Sequence, residues 1–365
     1  MKKKKKRKRK EKDFKRKTWT YEKKERRNYL MQILITGAAG YIGSHVVKQL
    51  LEETEYEIII IDNLCTGFEN TIDTLKALDT TNKRIKFYNQ DLSIWNEVEN
   101  IFKENNIKEI IHFAASLVVP ESVEKPLKYY LNNTANTANL VEIANRYGVK
   151  KFIFSSTAAT YGEPDKKFIP VNEECPTSPI NPYGNSKLFS ESVIKDASFA
   201  NPDFKFVILR YFNVAGADVN EKIGQSTLNA THLIKVAAEA ALGKRAKMAI
   251  FGDDYDTADG TCIRDYIHVQ DLADAHLKAL EYLESNNSDT FNCGYGYGYS
   301  VKEVIETMKK VSNVDFTVDI VPRRAGDPST LISDNTKIKT KMNWEPKYND
   351  LELICKTALE WEKKI

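Results

Sequence analysis

From Met31 onward, short apolar runs alternate with stretches whose apolar positions recur at helical spacing. Residues 31–36 form a strand-length apolar run that ends in a glycine-rich turn, and 44–51 carry a helical apolar stripe. Residues 58–62 predict a second, Ile-rich strand, 84–88 a third strand and 94–102 a helix. Residues 109–113 predict a fourth strand, and one long helix is expected after Pro126, running toward Arg146. Two more strands are predicted over 151–155 and 206–211, with a helix starting near Tyr183 between them. Strand–helix alternation of this kind gives a parallel sheet covered on both faces, so the expected fold is α/β and doubly wound, of the Rossmann type. Beyond Val214 the rhythm breaks into loops rich in Gly, Asp and aromatic residues, such as 251–261 and 292–299. The expected organisation is a first domain over 31–213 and a smaller C-terminal α/β lobe over 214–365, partly intertwined with the first.

Composition narrows the function classes. A hydrophobic fraction of 42% over 365 residues is enough for a sizeable core, and no apolar stretch is long enough to span a bilayer. The chain start lacks the apolar run of a secretory signal, so a cytoplasmic location is expected. The five cysteines are scattered, with no Cys-x-x-Cys pair, and the five histidines have no metal-ligand spacing. That pattern predicts reduced thiols and no metal site. The net charge of +3 hides an asymmetry: residues 1–30 hold 17 basic and 4 acidic residues, leaving 37 basic against 47 acidic in the rest. The extension 1–30 repels itself and is expected to be disordered. It reads either as an anchor for an anionic partner or as an appended segment, since Met31 stands directly before the first strand. The acidic body argues against nucleic acid as a partner.

Two motifs carry the chemistry. Thr36-Gly37-Ala38-Ala39-Gly40-Tyr41-Ile42-Gly43 sets three glycines at three-residue spacing between a strand and a helix. Glycine there allows the tight turn, the approach of a pyrophosphate and close helix packing, and the helix N-terminus offers free N–H groups to the phosphates. Asp62, at the end of the second strand, is placed to accept hydrogen bonds from a ribose 2′-OH, and its charge would repel a 2′-phosphate; the cofactor expected is NAD rather than NADP. The second motif is Tyr183-Gly184-Asn185-Ser186-Lys187. Four-residue spacing puts Tyr183 and Lys187 on one helix face, where an ammonium, together with a cationic nicotinamide, favours the phenolate. The pair then supplies a general base for a hydroxyl proton, and Thr157, just after the strand 151–155, can hold the same hydroxyl.

These residues resemble the extended short-chain dehydrogenase/reductases and, within them, the UDP-glucose 4-epimerases. The resemblance spans nearly all of 31–365. It rests on the glycine loop, Asp62-Asn63-Leu64, His112-Phe113-Ala114-Ala115, Glu121-Ser122-Val123 before Lys125-Pro126-Leu127, and Phe154-Ser155-Ser156. It continues through Tyr183–Lys187, Leu209-Arg210-Tyr211-Phe212-Asn213, Ile250-Phe251-Gly252, Arg264-Asp265-Tyr266-Ile267-His268-Val269 and Pro322-Arg323-Arg324. It implies epimerisation at C4 of a UDP-hexose through a transient 4-keto sugar, with NAD held tightly and recycled in place. By resemblance, Tyr183, Lys187 and Thr157 are catalytic. Gly37, Gly40, Tyr41, Ile42, Gly43, Asp62, Asn63, Asp91, Leu92, Phe113, Ala114, Ala115, Asn132 and Phe212 join Tyr183 and Lys187 around the cofactor. Thr157, Tyr183, Asn213, Leu233, Phe251, Arg264, Arg324, Asp327 and Leu331 are implied on the substrate side, with the two arginines on the UDP pyrophosphate and Asp327 on its ribose. Leu117 stands where some members have Lys, and His232 where the family's substrate asparagine stands. Leu331 occupies the position at which Tyr limits the sugar pocket, so UDP-GlcNAc and UDP-GalNAc are expected as further substrates. The family usually forms homodimers. The rivals are a related dehydratase or decarboxylase, or a non-catalytic dinucleotide sensor. Dehydratases typically carry an Asp-Glu pair after the Ser/Thr, where this chain has Ala158-Ala159; a sensor has no need of the Tyr/Lys pair.

Overall fold

The computed structural model describes residues 31–365 apart from 82, 229, 325 and 326. The basic extension 1–30, expected to be disordered, lies outside the described residues. Six parallel strands, β1 (Gln32–Thr36), β2 (Glu57–Asp62), β3 (Ile85–Asn89), β4 (Ile107–His112), β5 (Lys151–Thr157) and β6 (Lys205–Tyr211), join a seventh, Asp289–Cys293, in one sheet. The order is Asp289–Cys293, β6, β5, β4, β1, β2, β3, and every neighbouring pair is parallel. The chain steps from β1 outward to β2 and β3, then returns to the other side of β1 for β4. That reversal opens a crevice beyond the C-terminal ends of β1 and β4.

Side-chain alternation explains the layers. Ile33, Ile35, Ile58, Ile60, Ile111, Ile153, Val207 and Leu209 face one side and pack with helices Tyr41–Glu53 and Val269–Ser285. Leu34, Ile59, Ile61, Ile110, Phe152, Phe154 and Ile208 face the other, against helices Trp95–Glu104, Asn136–Arg146 and Pro182–Ala200. With both faces covered, the strands read as near-continuous apolar runs.

Three sequence expectations need correction. The single helix expected after Pro126 is broken: a helical turn Pro126–Tyr129 passes into a π-helical turn, Tyr130–Ala135, before Asn136–Arg146. Asn133 accounts for the break. Its buried side chain accepts from Ser116 N–H at 2.7 Å and donates to Ser116 O at 2.9 Å and Ser186 Oγ at 3.0 Å, while its carbonyl accepts from Thr137 and Ser190 hydroxyls. An inserted residue in the turn is how a helix aims such a group inward. Thr157, expected just past a strand, is instead the last residue of β5, opposite Tyr211. Beyond Val214 the chain is also more regular than its loop-rich composition predicts. It forms helices Leu233–Ala241, Val269–Ser285, Val301–Ser312, Thr336–Met342 and Leu351–Glu362, and Asn292 and Cys293 belong to the seventh strand. The apolar stripes of these helices were overshadowed by the turn residues between them.

Candidate active site

The glycine turn sits at the mouth of the β1/β4 crevice. Gly37 has φ +75°, and a Cβ there would lie 2.7 Å from the main-chain nitrogen of Ala114. Helix Tyr41–Glu53 starts at Gly40 with no side-chain cap, so its first N–H groups face the crevice. A Cβ on Gly43 would overlap the Gly37 carbonyl oxygen. These are the three services a dinucleotide loop asks of glycine. Tyr41 turns its hydroxyl away, donating to Gly216 O at 2.6 Å, and Ile42 packs on the core, so both reach the crevice through the backbone.

Asp62, at the end of β2, accepts from Ala39 N–H at 2.9 Å and Leu64 N–H at 2.8 Å. Burial holds its carboxyl above the usual range, and the two N–H bonds oppose that. Leu64 takes φ +58°, which carries Asn63 toward the next strand; its amide donates to Asp91 at 2.6 Å. Leu92 is buried beside Asp91. Phe113, Ala114 and Ala115, all partly exposed, leave β4 along the glycine turn, with Phe113 N–H on Thr36 O at 3.1 Å. The Asn132 amide donates to Ser116 Oγ at 3.1 Å on the same loop. The bent glycine backbone, uncapped helix start and strand-end carboxylate fit the diphosphate and ribose of NAD.

Helix Pro182–Ala200 brings in the second motif. Asn181 caps it, accepting from Gly184 N–H at 2.9 Å, and Pro182 opens its first turn. Gly184 lets this start press onto the turn after β5: a Cβ there would be 2.7 Å from Ala159 O. The approach seats the Tyr183 turn on the turn that follows Thr157. One turn on, the Lys187 ammonium is buried 4.3 Å from the centre of the Phe154 ring. Burial drives Lys187 down to about 7, and Glu191 pulls it back up. A lowered Tyr183 was expected; burial instead raises the phenol, and the Thr157 hydrogen bond opposes the rise. The cause is desolvation.

The substrate-side residues gather on the adjoining wall. Buried Phe212 belongs to an apolar cluster with Ala158, Tyr161, Val171 and Cys175, against which Leu331 packs. Leu331 stands in register beside Arg264, which donates to Asp327 at 2.9 Å. The two UDP-binding candidates are thus already paired with each other. Arg324 stacks its guanidinium 3.6 Å from the centre of the Phe251 ring. Asn213 and Leu233 line one cavity with Gln225, His232 and Tyr266, and the Gln225 amide is 2.9 Å from the His232 ring. Leu117 is exposed.

Sequence reasoning missed Asn133, Ser156, Gly184, Glu191 and Arg210. Glu191 carried a usable signal, since it continues the four-residue spacing of Tyr183 and Lys187, but a glutamate on a helix ordinarily reads as surface. Among the described residues no helix is long and apolar enough to cross a membrane, and no cluster of three metal-ligating side chains occurs.

Comparison with known proteins agrees with this geometry. Residues 33–294 match the NAD dependent epimerase/dehydratase family. A UDP-glucose 4-epimerase of Lacticaseibacillus casei is 45% identical over 334 residues, covering 91% of this chain and 97% of that protein. The solved structure of the UDP-Glc/GlcNAc 4-epimerase from Campylobacter jejuni superposes with a TM-score of 0.80 at 59% identity, covering 92% and 100% of the two chains. That of the UDP-glucose 4-epimerase from Bifidobacterium longum, in complex with NAD+ and UDP, gives 0.86 at 37% identity, covering 92% and 98%. The chain therefore belongs to the NAD dependent epimerase/dehydratase family, as an NAD-dependent epimerase.

Proposed function

We propose that this epimerase inverts C4 of a UDP-hexose, interconverting UDP-glucose with UDP-galactose and UDP-GlcNAc with UDP-GalNAc. The observation that carries the reading is the seating of the Tyr183 turn, through Gly184 on Ala159 O, against the turn after Thr157 beside the dinucleotide crevice, with Lys187 one turn further along the helix. NAD⁺, when bound, accepts the C4 hydride and gives it back. Gly37, Gly40, Tyr41, Ile42 and Gly43 hold its diphosphate through the backbone, and Asp62 with Asn63 its ribose. Asp91 and Leu92 flank its adenine, while Phe113, Ala114, Ala115, Asn132 and Phe212 line the remainder. Thr157 orients the sugar 4-hydroxyl and Tyr183 takes its proton as the C4 hydride leaves; the 4-keto sugar rotates, the hydride returns to its other face, and Tyr183 gives the proton back to the oxygen. Lys187 favours the phenolate by its charge. Arg264 and Arg324 clamp the UDP diphosphate in the forked manner that suits guanidinium, Asp327 holds the uridine ribose, and Asn213, Leu233 and Phe251 complete the nucleotide side. Binding energy from UDP, remote from C4, retains the oxidised sugar while it turns over.

Leu331 supports the wider pocket: it packs against the apolar cluster that contains Phe212 and Ala158, where it offers no hydroxyl and less bulk than tyrosine. The Campylobacter jejuni relative is itself a UDP-Glc/GlcNAc 4-epimerase. Ala158 and Ala159 supply no acid for water elimination, which disfavours a dehydratase. We also place the enzyme in the cytoplasm, as a homodimer. Leu127 and Leu131, at 72% and 66% exposure, share the surface of the 119–135 helical segment with Val123, near exposed Phe189 on helix Pro182–Ala200, an apolar face suited to a second copy. The test is incubation of purified enzyme, without added cofactor, with UDP-galactose and separately with UDP-GalNAc. UDP-glucose and UDP-GlcNAc are the expected products; no interconversion even after NAD⁺ is added would overturn the reading.

A further inference from the structure

Helix Pro182–Ala200 buries more charge than proton transfer alone requires. Glu191, one turn beyond Lys187, is fully buried. It accepts from Ser156 Oγ at 2.6 Å and from Arg210 Nε and Nη2 at 2.9 and 2.6 Å, with the Lys195 ammonium at 3.3 Å. Ser156 directly precedes Thr157 on β5, and Arg210, on β6, lies over the Tyr161 ring. A buried ion pair is a poor source of stability compared with apolar packing of the same volume. Its position suggests another use. We propose that Glu191 is the positioning residue of the Tyr183–Lys187 pair: its carboxylate, fixed by Arg210 and Ser156, seats the helix against the end of β5 and keeps Lys187 charged. This rests on the reading that Tyr183 and Lys187 act together.

The groups facing Lys187 support the assignment. From β4 comes His112, which burial and then the Lys187 charge drive down to about 3, so it is neutral near pH 7. From β5 comes the uncharged Phe154 ring. Arg210, on β6, has its charge tied into Glu191. On its own helix stand Tyr183, whose phenol burial keeps protonated, and Lys195, two turns away and half exposed. Glu191 is the carboxylate that acts on Lys187 against the cost of burial. Four residues apart on a helix, the two side chains are neighbours.

The test is the pH profile of UDP-galactose epimerisation by Glu191→Gln. Without the carboxylate Lys187 loses its proton at lower pH, so the basic limb should move down by about one pH unit, the low end of what a nearby opposite charge does. At the alkaline end that is about a tenfold loss of rate, which fades toward the acid side. Glu191→Asp, which keeps the charge, should restore the limb while remaining slower. If Glu191→Gln alone does not fold, as judged by circular dichroism and retained NAD, Glu191→Gln with Arg210→Gln removes the stranded Arg210 charge as well and should shift the limb the same way, by less. A rate lowered equally at every pH, with the limb unmoved, overturns the proposal. Wild-type enzyme unable to epimerise UDP-galactose would instead fail the functional reading on which it rests.

Discussion

Gly37→Ala tests the cofactor loop most directly, because two separable costs meet there. The first is conformational: at φ +75° an L side chain costs about 1–2 kcal/mol. The second is steric. The new methyl would lie 2.7 Å from Ala114 N, 3.0 Å from Ala114 Cα and 3.1 Å from Phe113 C, all main-chain atoms that cannot rotate away. Overpacking of this kind costs about 1–3 kcal/mol. Gly148 provides the control. It sits at φ +70° past helix Asn136–Arg146, with nothing within 4 Å of a built Cβ, so Gly148→Ala carries only the first cost. We expect Gly148→Ala to lose about 1 kcal/mol with NAD content unchanged, and Gly37→Ala to lose about 3 kcal/mol and be purified largely without NAD. Urea unfolding of each protein, with the nucleotide released and quantified by chromatography, reads both effects. Equal destabilisation by the two substitutions, with full NAD retention in Gly37→Ala, would refute the close-approach argument.

Three further outcomes follow from the same geometry. Tyr183→Phe removes the proposed proton-transfer hydroxyl and should cut epimerisation by about 10²–10⁴-fold while NAD stays bound; a fall below tenfold would move the proton-transfer role elsewhere. Leu331→Tyr, placed against Phe212 and Ala158, should selectively slow turnover of the N-acetylated UDP-sugars, and equal loss on both sugar types would contradict the pocket assignment. Lys187→Met should abolish most activity yet stabilise the fold near neutral pH. Burial holds Lys187 at about 7 when folded, while the unfolded chain keeps the ordinary 10.5, so below 7 the native state bears the full cost of a buried ammonium. Between about 7 and 10.5 the unfolded chain binds the extra proton, so wild-type stability rises with pH there. The advantage of Lys187→Met in urea midpoints should therefore be largest near pH 6.5 and shrink toward pH 10; a gap that widens with pH would reverse the sign of the argument.

Much of this fold was legible because β1, β2, β4, β5 and β6 are short apolar runs whose burial on both sheet faces erases polar alternation, leaving glycine and helix spacing to mark the joints. The glycine loop and Tyr183/Lys187 were legible for a similar reason: each is local, and its chemistry depends on spacing within one turn. What stayed hidden depends on contacts between distant segments. Gly184 looks like a weak point in a helix until Ala159 O is seen 2.7 Å from where its Cβ would be. Asn133 looks like a poor helix former until Ser116 and Ser186 are found on its amide. The same holds for charge. Tyr183 beside Lys187 suggests a depressed phenol, yet the environment that dries the site works against both ionised forms, raising Tyr183 and lowering Lys187 together. A site built this way is poised rather than pre-ionised. The positive charge that lowers the phenol must overcome desolvation, so the protein's contribution lies in whichever buried groups keep Lys187 protonated. That places the control of proton transfer one turn beyond the motif, at a glutamate that continues its four-residue spacing but reads as surface until Arg210 and Ser156 are found on its carboxylate.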